Sequence, residues 1–146
     1  MADSESPSFD HAGLEILTVE QCQRLLEAAK VGRIGFVDRG EPVIFPIRMG
    51  MLGRSVVFTT GPGSKLTAAI MNRPVAVEID SWDTENQVGW SVLVKGTATT
   101  MEGDETDGLD GLGVVAWIRP EDPKDWVRVL PNEITGRRIP DHPPVG

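Results

Sequence analysis

The chain has 146 residues, a formal net charge of -8 and one cysteine. That length suits one domain able to bury its own core, and the lone Cys22 excludes an internal disulfide or a cysteine-cluster metal site. The acidic balance argues against nucleic acid, whose phosphates need a basic face. No apolar run reaches the length of a membrane span, and the N-terminus is acidic where a signal peptide would be basic, so a cytoplasmic protein without membrane contact is expected.

Residues 1–13 mix Ser, Pro, Asp and Glu and read as a mobile tail, residues 14–139 as the folded domain, and residues 140–146 as a second tail. Thr18 and Gln21 stand at capping-box spacing, and Val19, Cys22, Leu25, Leu26 and Ala29 form the apolar stripe of the helix that follows. The period then falls to two. Arg33–Asp38 is predicted as a strand, Asp38–Glu41 as a hairpin turn, and Val43–Met49 as a second strand. Pro46 interrupts that strand, which makes it an edge, a bulge or a backbone open to a ligand. Val56–Thr60 is a third strand, and Gly61–Gly63 turns the chain into a short helix capped by Ser64. Val75–Ile79, Gly89–Ala98 and Trp126–Leu130 follow as strands. Asp80–Gln87 reads as a loop, and Glu102–Gly113 as an exposed acidic loop or short helix. Strands joined by tight turns, with two helices, predict an antiparallel barrel with appended helices.

Candidate chemistry concentrates at the turn before the second helix. Thr59, Thr60 and Ser64 supply hydroxyls and Lys65 a cation, a set suited to cradling a phosphate. The competing reading is a plain strand–turn–helix with a solvated lysine. A Walker A loop is excluded, because its spacing is absent and Leu66 follows the lysine. Both histidines, His11 and His142, fall in the expected tails, the chain has no tyrosine, and Cys22 lies on the apolar stripe. A Ser-His-Asp or Cys-His triad and a histidine metal site are therefore not expected. Glu78 and Asp80 share a strand face, either as solvent-facing acids or as an acid–base pair. Trp117 and Trp126 wall a pocket or simply pack, and Arg128, Arg137 and Arg138 are solvated or bind an anionic substrate. With side chains so sparse in catalytic groups, the chemistry is expected to come from a coenzyme.

The residues resemble the split-barrel flavoproteins of the pyridoxamine 5′-phosphate oxidase-like superfamily, particularly its short actinobacterial-type members. The anchors are Val31–Phe36, Pro42–Ile47, Thr59–Leu66, Arg73–Asp80 and Gly89–Gly96, in that order. The resemblance implies a mainly β, six-stranded antiparallel split barrel of the FMN-binding type. It also implies a homodimer with coenzyme sites at the subunit interface, and a flavin-dependent oxidoreductase acting on a small molecule. On matching positions, Thr59, Thr60, Ser64 and Lys65 would hold the phosphate and ribityl chain. Phe45, Pro46, Ile47 and Arg48 would lie along the ring edge, partly through backbone atoms, and Trp90 and Ser91 would reach the flavin from the same face or the partner subunit. The Arg-x-His pair of relatives that oxidise pyridoxamine phosphate is missing from Ile134–Ile139, which argues against pyridoxal phosphate synthesis. Leu66 replaces a second basic residue of some relatives, which keeps a deazaflavin coenzyme, then haem, as alternatives to FMN. The alternative function is a non-catalytic carrier or sensor of such a ligand. Strand Gly89–Ala98, apolar on both faces, is the expected dimer surface.

Overall fold

In the computed structural model, the described residues are 6–61, 63–114 and 124–140, so Pro62, Trp117 and His142 lie outside them. The strands are β1 (Ser8–Phe9), β2 (Glu15–Ile16), β3 (Val31–Asp38), β4 (Glu41–Leu52), β5 (Ser55–Thr60), β6 (Pro74–Asp83), β7 (Val88–Met101) and β8 (Asp125–Arg138). The helices are α1 (Val19–Ala28) and α2 (Lys65–Ile70). Six strands form a ring in the order β8-β5-β4-β3-β6-β7, closed by β7 pairing back onto β8. All pairings are antiparallel, as expected of a barrel built from hairpins.

The ring encloses one core. Ile34, Met49, Val56, Phe58, Val77, Val92, Val94 and Val129 point inward from successive strands, and Leu26 and Cys22 of α1 seal one end. The capping box forms as expected: the Thr18 hydroxyl accepts from the Gln21 N–H at 3.1 Å, and the Gln21 side chain accepts from the Thr18 N–H at 2.8 Å. The hairpin turn at Arg39–Gly40 has φ of 53° and 81°, the pair of left-handed residues that a two-residue hairpin needs.

Three expectations are corrected. Ser8–Phe9 pairs with Glu15–Ile16, which pairs in turn with Arg137–Arg138, so the expected tail is bound to the body from Ser8 onward. Asp10 drives this, since its carboxylate accepts from the N–H groups of Ala12 and Leu14 at 2.9 Å. The expected loop at Asp80 is strand through Asp83, paired with Val88–Ser91, and only the tip turns. The expected strand Trp126–Leu130 runs on to Arg138 as β8, bulged at Asn132 because Lys95 opposes Glu133 while Gly96 opposes Pro131. The acidic segment forms two short 3-10 helices, Gly103–Thr106 and Leu109–Leu112, mostly exposed as expected, with Leu109 buried against Val57, Met101 and Trp126 in a small second core, so Trp126 packs.

Candidate functional site at the barrel opening

The β4–β5 ladder stops early. It runs from Leu52↔Ser55 to Met49↔Phe58, and no further rung follows. Beyond that rung β4 keeps only β3 as a partner among the described residues, through Arg48 to Glu41, and β5 keeps only β8, which lies along its other edge from Val56 to Thr60. The barrel is therefore split between Phe45–Arg48 on one side and Thr59–Thr60 on the other. These are two of the residue groups singled out for the coenzyme, and the fold places them on the two lips of one opening.

Strand alternation decides what each lip offers. The Met49 N–H bonds the Lys30 carbonyl at 3.0 Å, so odd-numbered residues of this stretch turn their backbone groups toward β3. The backbones of Pro42, Ile44, Pro46 and Arg48 then face the opening. Pro46 thus sits at a strand edge, one of the outcomes its sequence allows. Ile47 has its side chain buried in the core and its backbone turned to β3, so it lines the opening without a polar group to offer. Phe45 is 44% exposed, its ring 6.1 Å from that of Phe36.

On the other lip, the hydroxyls are engaged with one another. Thr60 Oγ1 lies 2.6 Å from Thr67 Oγ1, which lies 2.9 Å from Ser64 Oγ, and Ser64 caps α2 by accepting from the Thr67 N–H at 3.1 Å. Thr67 is a site-shaping residue that sequence reasoning missed. Nothing in a helical threonine signals that it faces a buried hydroxyl on the preceding strand.

Lys65 faces away from this hydroxyl chain. Ser64 and Thr67 border a cavity of about 330 Å³ that also carries Glu102 and Asp125. Lys65 borders a different groove, of about 510 Å³, with Asp38, Arg39, Ala68, Ala69 and Arg73. Carboxylates make the first cavity unfavourable for a phosphate, and cations make the second favourable. The groove forms because the β3–β4 turn and both ends of α2 meet at one end of the barrel, with the turn after α2 pinned by the Asn72 N–H on the Ala98 carbonyl at 2.7 Å. The donors suit a phosphorylated flavin: cations in the groove, and open backbone along β4.

Trp90 and Ser91 stand elsewhere. They line a third cavity, of about 420 Å³, with Glu78, Asp80, Trp82, Arg137 and Arg138. Within one chain the structure does not bring them to the opening. Arg33 Nη1 bridges Glu78 Oε1 at 3.4 Å and Asp80 Oδ2 at 3.2 Å. Burial, reinforced by the neighbouring Asp80, pushes the Glu78 carboxyl up to about 7 despite Arg33. Arg137 and Arg138 pair with Asp10 at 3.1 Å and Glu15 at 2.7 Å, so the N-terminal hairpin closes over that end of β8. His11 is exposed in the hairpin turn and Cys22 is buried in the core, so neither is placed to ligate haem iron at the opening. Among the described residues no cluster of His, Cys, Asp and Glu suits a metal ion, and no helix is long and apolar enough to cross a membrane.

A ring of six antiparallel strands, split at one seam and flanked by short helices, defines the class of split β-barrels. Residues 18–138 match the family described as Pyridoxamine 5′-phosphate oxidase, and the chain belongs to that family. The FAD binding protein from Mycobacterium smegmatis superposes with a TM-score of 0.74 at 36% identity, over 86% of this chain and 99% of that one. The FAD and heme binding protein of the same organism shares the fold, with a TM-score of 0.69 at 20% identity, over 97% of this chain and 77% of its own. An uncharacterized protein of Mycobacterium tuberculosis is 30% identical across 82% of both chains.

Proposed function

We propose that this protein is a flavin-dependent oxidoreductase that works as a homodimer on a small-molecule substrate. The carrying observation is the early stop of the β4–β5 ladder at Met49↔Phe58. It leaves the backbone of Ile44 and Pro46 facing an opening with Thr59 on its far lip, while Lys65 borders the cationic groove at the end of α2. When bound, a flavin supplies the hydride or electron transfer on its own ring. The chain's part is to bind and orient: Pro46 and Ile44 offer backbone groups to the ring edge, Phe45 offers an apolar surface, and Lys65 holds a phosphate. The similarity to an FAD binding protein at 36% identity supports a flavin. FMN is the first choice on the resemblance, with a deazaflavin coenzyme as the alternative.

The second chain has a place in this reading. The outward faces of β3 and β4 run together, pairing Val37 with Pro42 and Gly35 with Ile44. Val37 is 58% and Ile44 70% exposed, an apolar surface beside the opening. β7, the strand expected to mediate dimerisation, has its Val92 and Val94 inside the barrel and shows Ser91, Leu93 and Lys95 outward. The subunit surface is therefore assigned to β3–β4. A partner seated there would bring its own Trp90 and Ser91 within the assembly, as the resemblance implies.

The test is a titration of the purified protein with riboflavin, FMN, FAD, a deazaflavin coenzyme and haem, followed by absorbance and fluorescence. Saturable binding of a flavin is the expected result, and haem alone binding would overturn the reading. Turnover of the reduced coenzyme with a panel of acceptors then separates an oxidoreductase from a non-catalytic carrier.

A further inference from the structure

Glu78, Asp80 and Trp82 stand at alternate positions on the outer face of β6 and border the cavity of about 420 Å³ that lies apart from the barrel opening. We infer that this cavity is a binding site for a small organic cation, a protonated amine on an apolar body, held between the Asp80 carboxylate and the Trp82 ring. The inference goes beyond the flavin reading and does not depend on it.

Charge is the first argument. The arginines that border the cavity are already matched: Arg137 Nε lies 3.1 Å from Asp10 and Arg138 Nη2 lies 2.7 Å from Glu15, both acids coming from the β1–β2 hairpin. The carboxylates of β6 are not. Glu78 and Asp80 share a single nitrogen, Arg33 Nη1, at 3.4 and 3.2 Å. Two acids against one guanidinium leave this wall one positive charge short. Glu78 registers the shortfall, since burial and Asp80 together raise its carboxyl to about 7 in spite of Arg33. An anion entering the cavity would have to displace Asp10 and Glu15 and then face the acid pair, whereas a cation supplies the missing charge.

Trp82 is the second. It is 57% exposed, yet its ring is seated. It lies on Gly89, directly across the ladder, where a Cβ would come within 2.7 Å of the Trp82 Cε3 atom. The bare glycine lets the indole rest on β7 while it borders the cavity. An indole face attracts a cation within about 6 Å of its centre. Residues two apart on a strand stand about 6.6 Å apart, so one ammonium group between Asp80 and Trp82 reaches both. Leu14 and Ile139 add apolar lining for the body that carries it. The volume lies near the lower end of the range of about 300–1,000 Å³ for small-molecule pockets, so the ligand is compact.

The experiment titrates the full chain at pH 8 with three probes that share one apolar body and differ in charge: benzylammonium, benzyl alcohol and benzoate. Binding is followed by calorimetry and protein NMR. Benzylammonium is expected to bind about ten-fold tighter than benzyl alcohol, with benzoate the weakest. Asp80→Asn should weaken benzylammonium about ten-fold and leave benzyl alcohol unchanged. Trp82→Leu, which keeps an apolar side chain and removes the ring, should weaken benzylammonium about three-fold. Urea midpoints near that of wild type report that both variants fold. Benzyl alcohol or benzoate binding as tightly as benzylammonium overturns the site. So do variants that leave benzylammonium affinity unchanged, and so does no binding of benzylammonium at millimolar concentration. None of these outcomes bears on the flavin titration, so the two readings fail separately.

Discussion

Thr60 and Thr67 hold each other by hydroxyls 2.6 Å apart, both residues being buried. This contact ties the last residue of β5 to the middle of α2, and so sets how far α2 stands from the open edge of β4. A threonine on a short helix thereby helps to fix where α2 sits beside the opening.

Thr67→Val should test that role. The valine keeps the volume but leaves the Thr60 hydroxyl without its partner, at a cost of about 1–3 kcal/mol in urea unfolding. Flavin affinity should fall with it, because α2 loses its tether. A variant as stable as wild type would show that the hydroxyl pair contributes nothing.

Lys65→Ala addresses the phosphate. A charge-assisted bond to a phosphate is worth on the order of 1.5–3 kcal/mol, so FMN binding should weaken roughly ten- to a hundred-fold. Riboflavin, lacking the phosphate, should bind both proteins equally. Unchanged FMN affinity would return Lys65 to the role of a solvated lysine.

Gly96 sits where β7 meets the bulge in β8, and a Cβ there would lie 2.1 Å from the Leu130 carbonyl oxygen. Backbone cannot step aside without breaking the seam that closes the barrel. Gly96→Ala should cost about 3 kcal/mol or more in denaturant unfolding. Normal stability would mean that the seam is far more pliable than its register indicates.

Glu78 gives a pH dependence. Its carboxyl is raised from 4.5 to about 7 by burial and by Asp80, so between those values the folded chain binds a proton that the unfolded chain does not. That contribution is fully present below about pH 4.5 and is lost as pH rises through about 7. Urea midpoints should therefore decline from pH 5 to pH 8 in wild type and decline less in Glu78→Gln. Parallel curves for the two proteins would sink the assignment.

Ile44 tests the subunit surface. A homodimer should give twice the 15.8 kDa of one chain by light scattering. Ile44→Asp places a charge in the middle of the exposed β3–β4 face and should shift the mass to one chain. A wild-type mass of one chain would remove the dimer from the proposed function.

Much of this architecture was legible because it is written in short-range chemistry. The Thr18–Gln21 box, the Arg39–Gly40 turn and the alternation of Val75–Ile79 each act over a few residues, and each forms as read. The misreadings have a common origin. Ser81 and Asp83 carry weak strand signals of their own and become strand because Val88–Trp90 lies across from them. Ser8–Phe9 looks like tail until Asp10 folds it against β2. The candidate site divides in the same way. Lys65 stood out beside its glycines, whereas Arg39 and Arg73 join it only through the pairing of Gly35 with Ala76, which places their two turns side by side. Ser64 and Lys65 are neighbours in sequence and suggested one cradle, yet the helical rotation between them sends them into two cavities of opposite charge.

An unpaired strand edge invites any other strand to add to it, and self-association through such edges is a standing hazard for β proteins. The stretch Glu41–Arg48 pairs with β3 on one side and leaves its outer edge without a strand partner among the described residues. Proline occupies Pro42 and Pro46, two of the four positions whose backbone points that way, and proline has no N–H with which to continue a ladder. The same two residues that leave room at the opening therefore deny it to a stray strand, which protects the chain from aggregating through this edge.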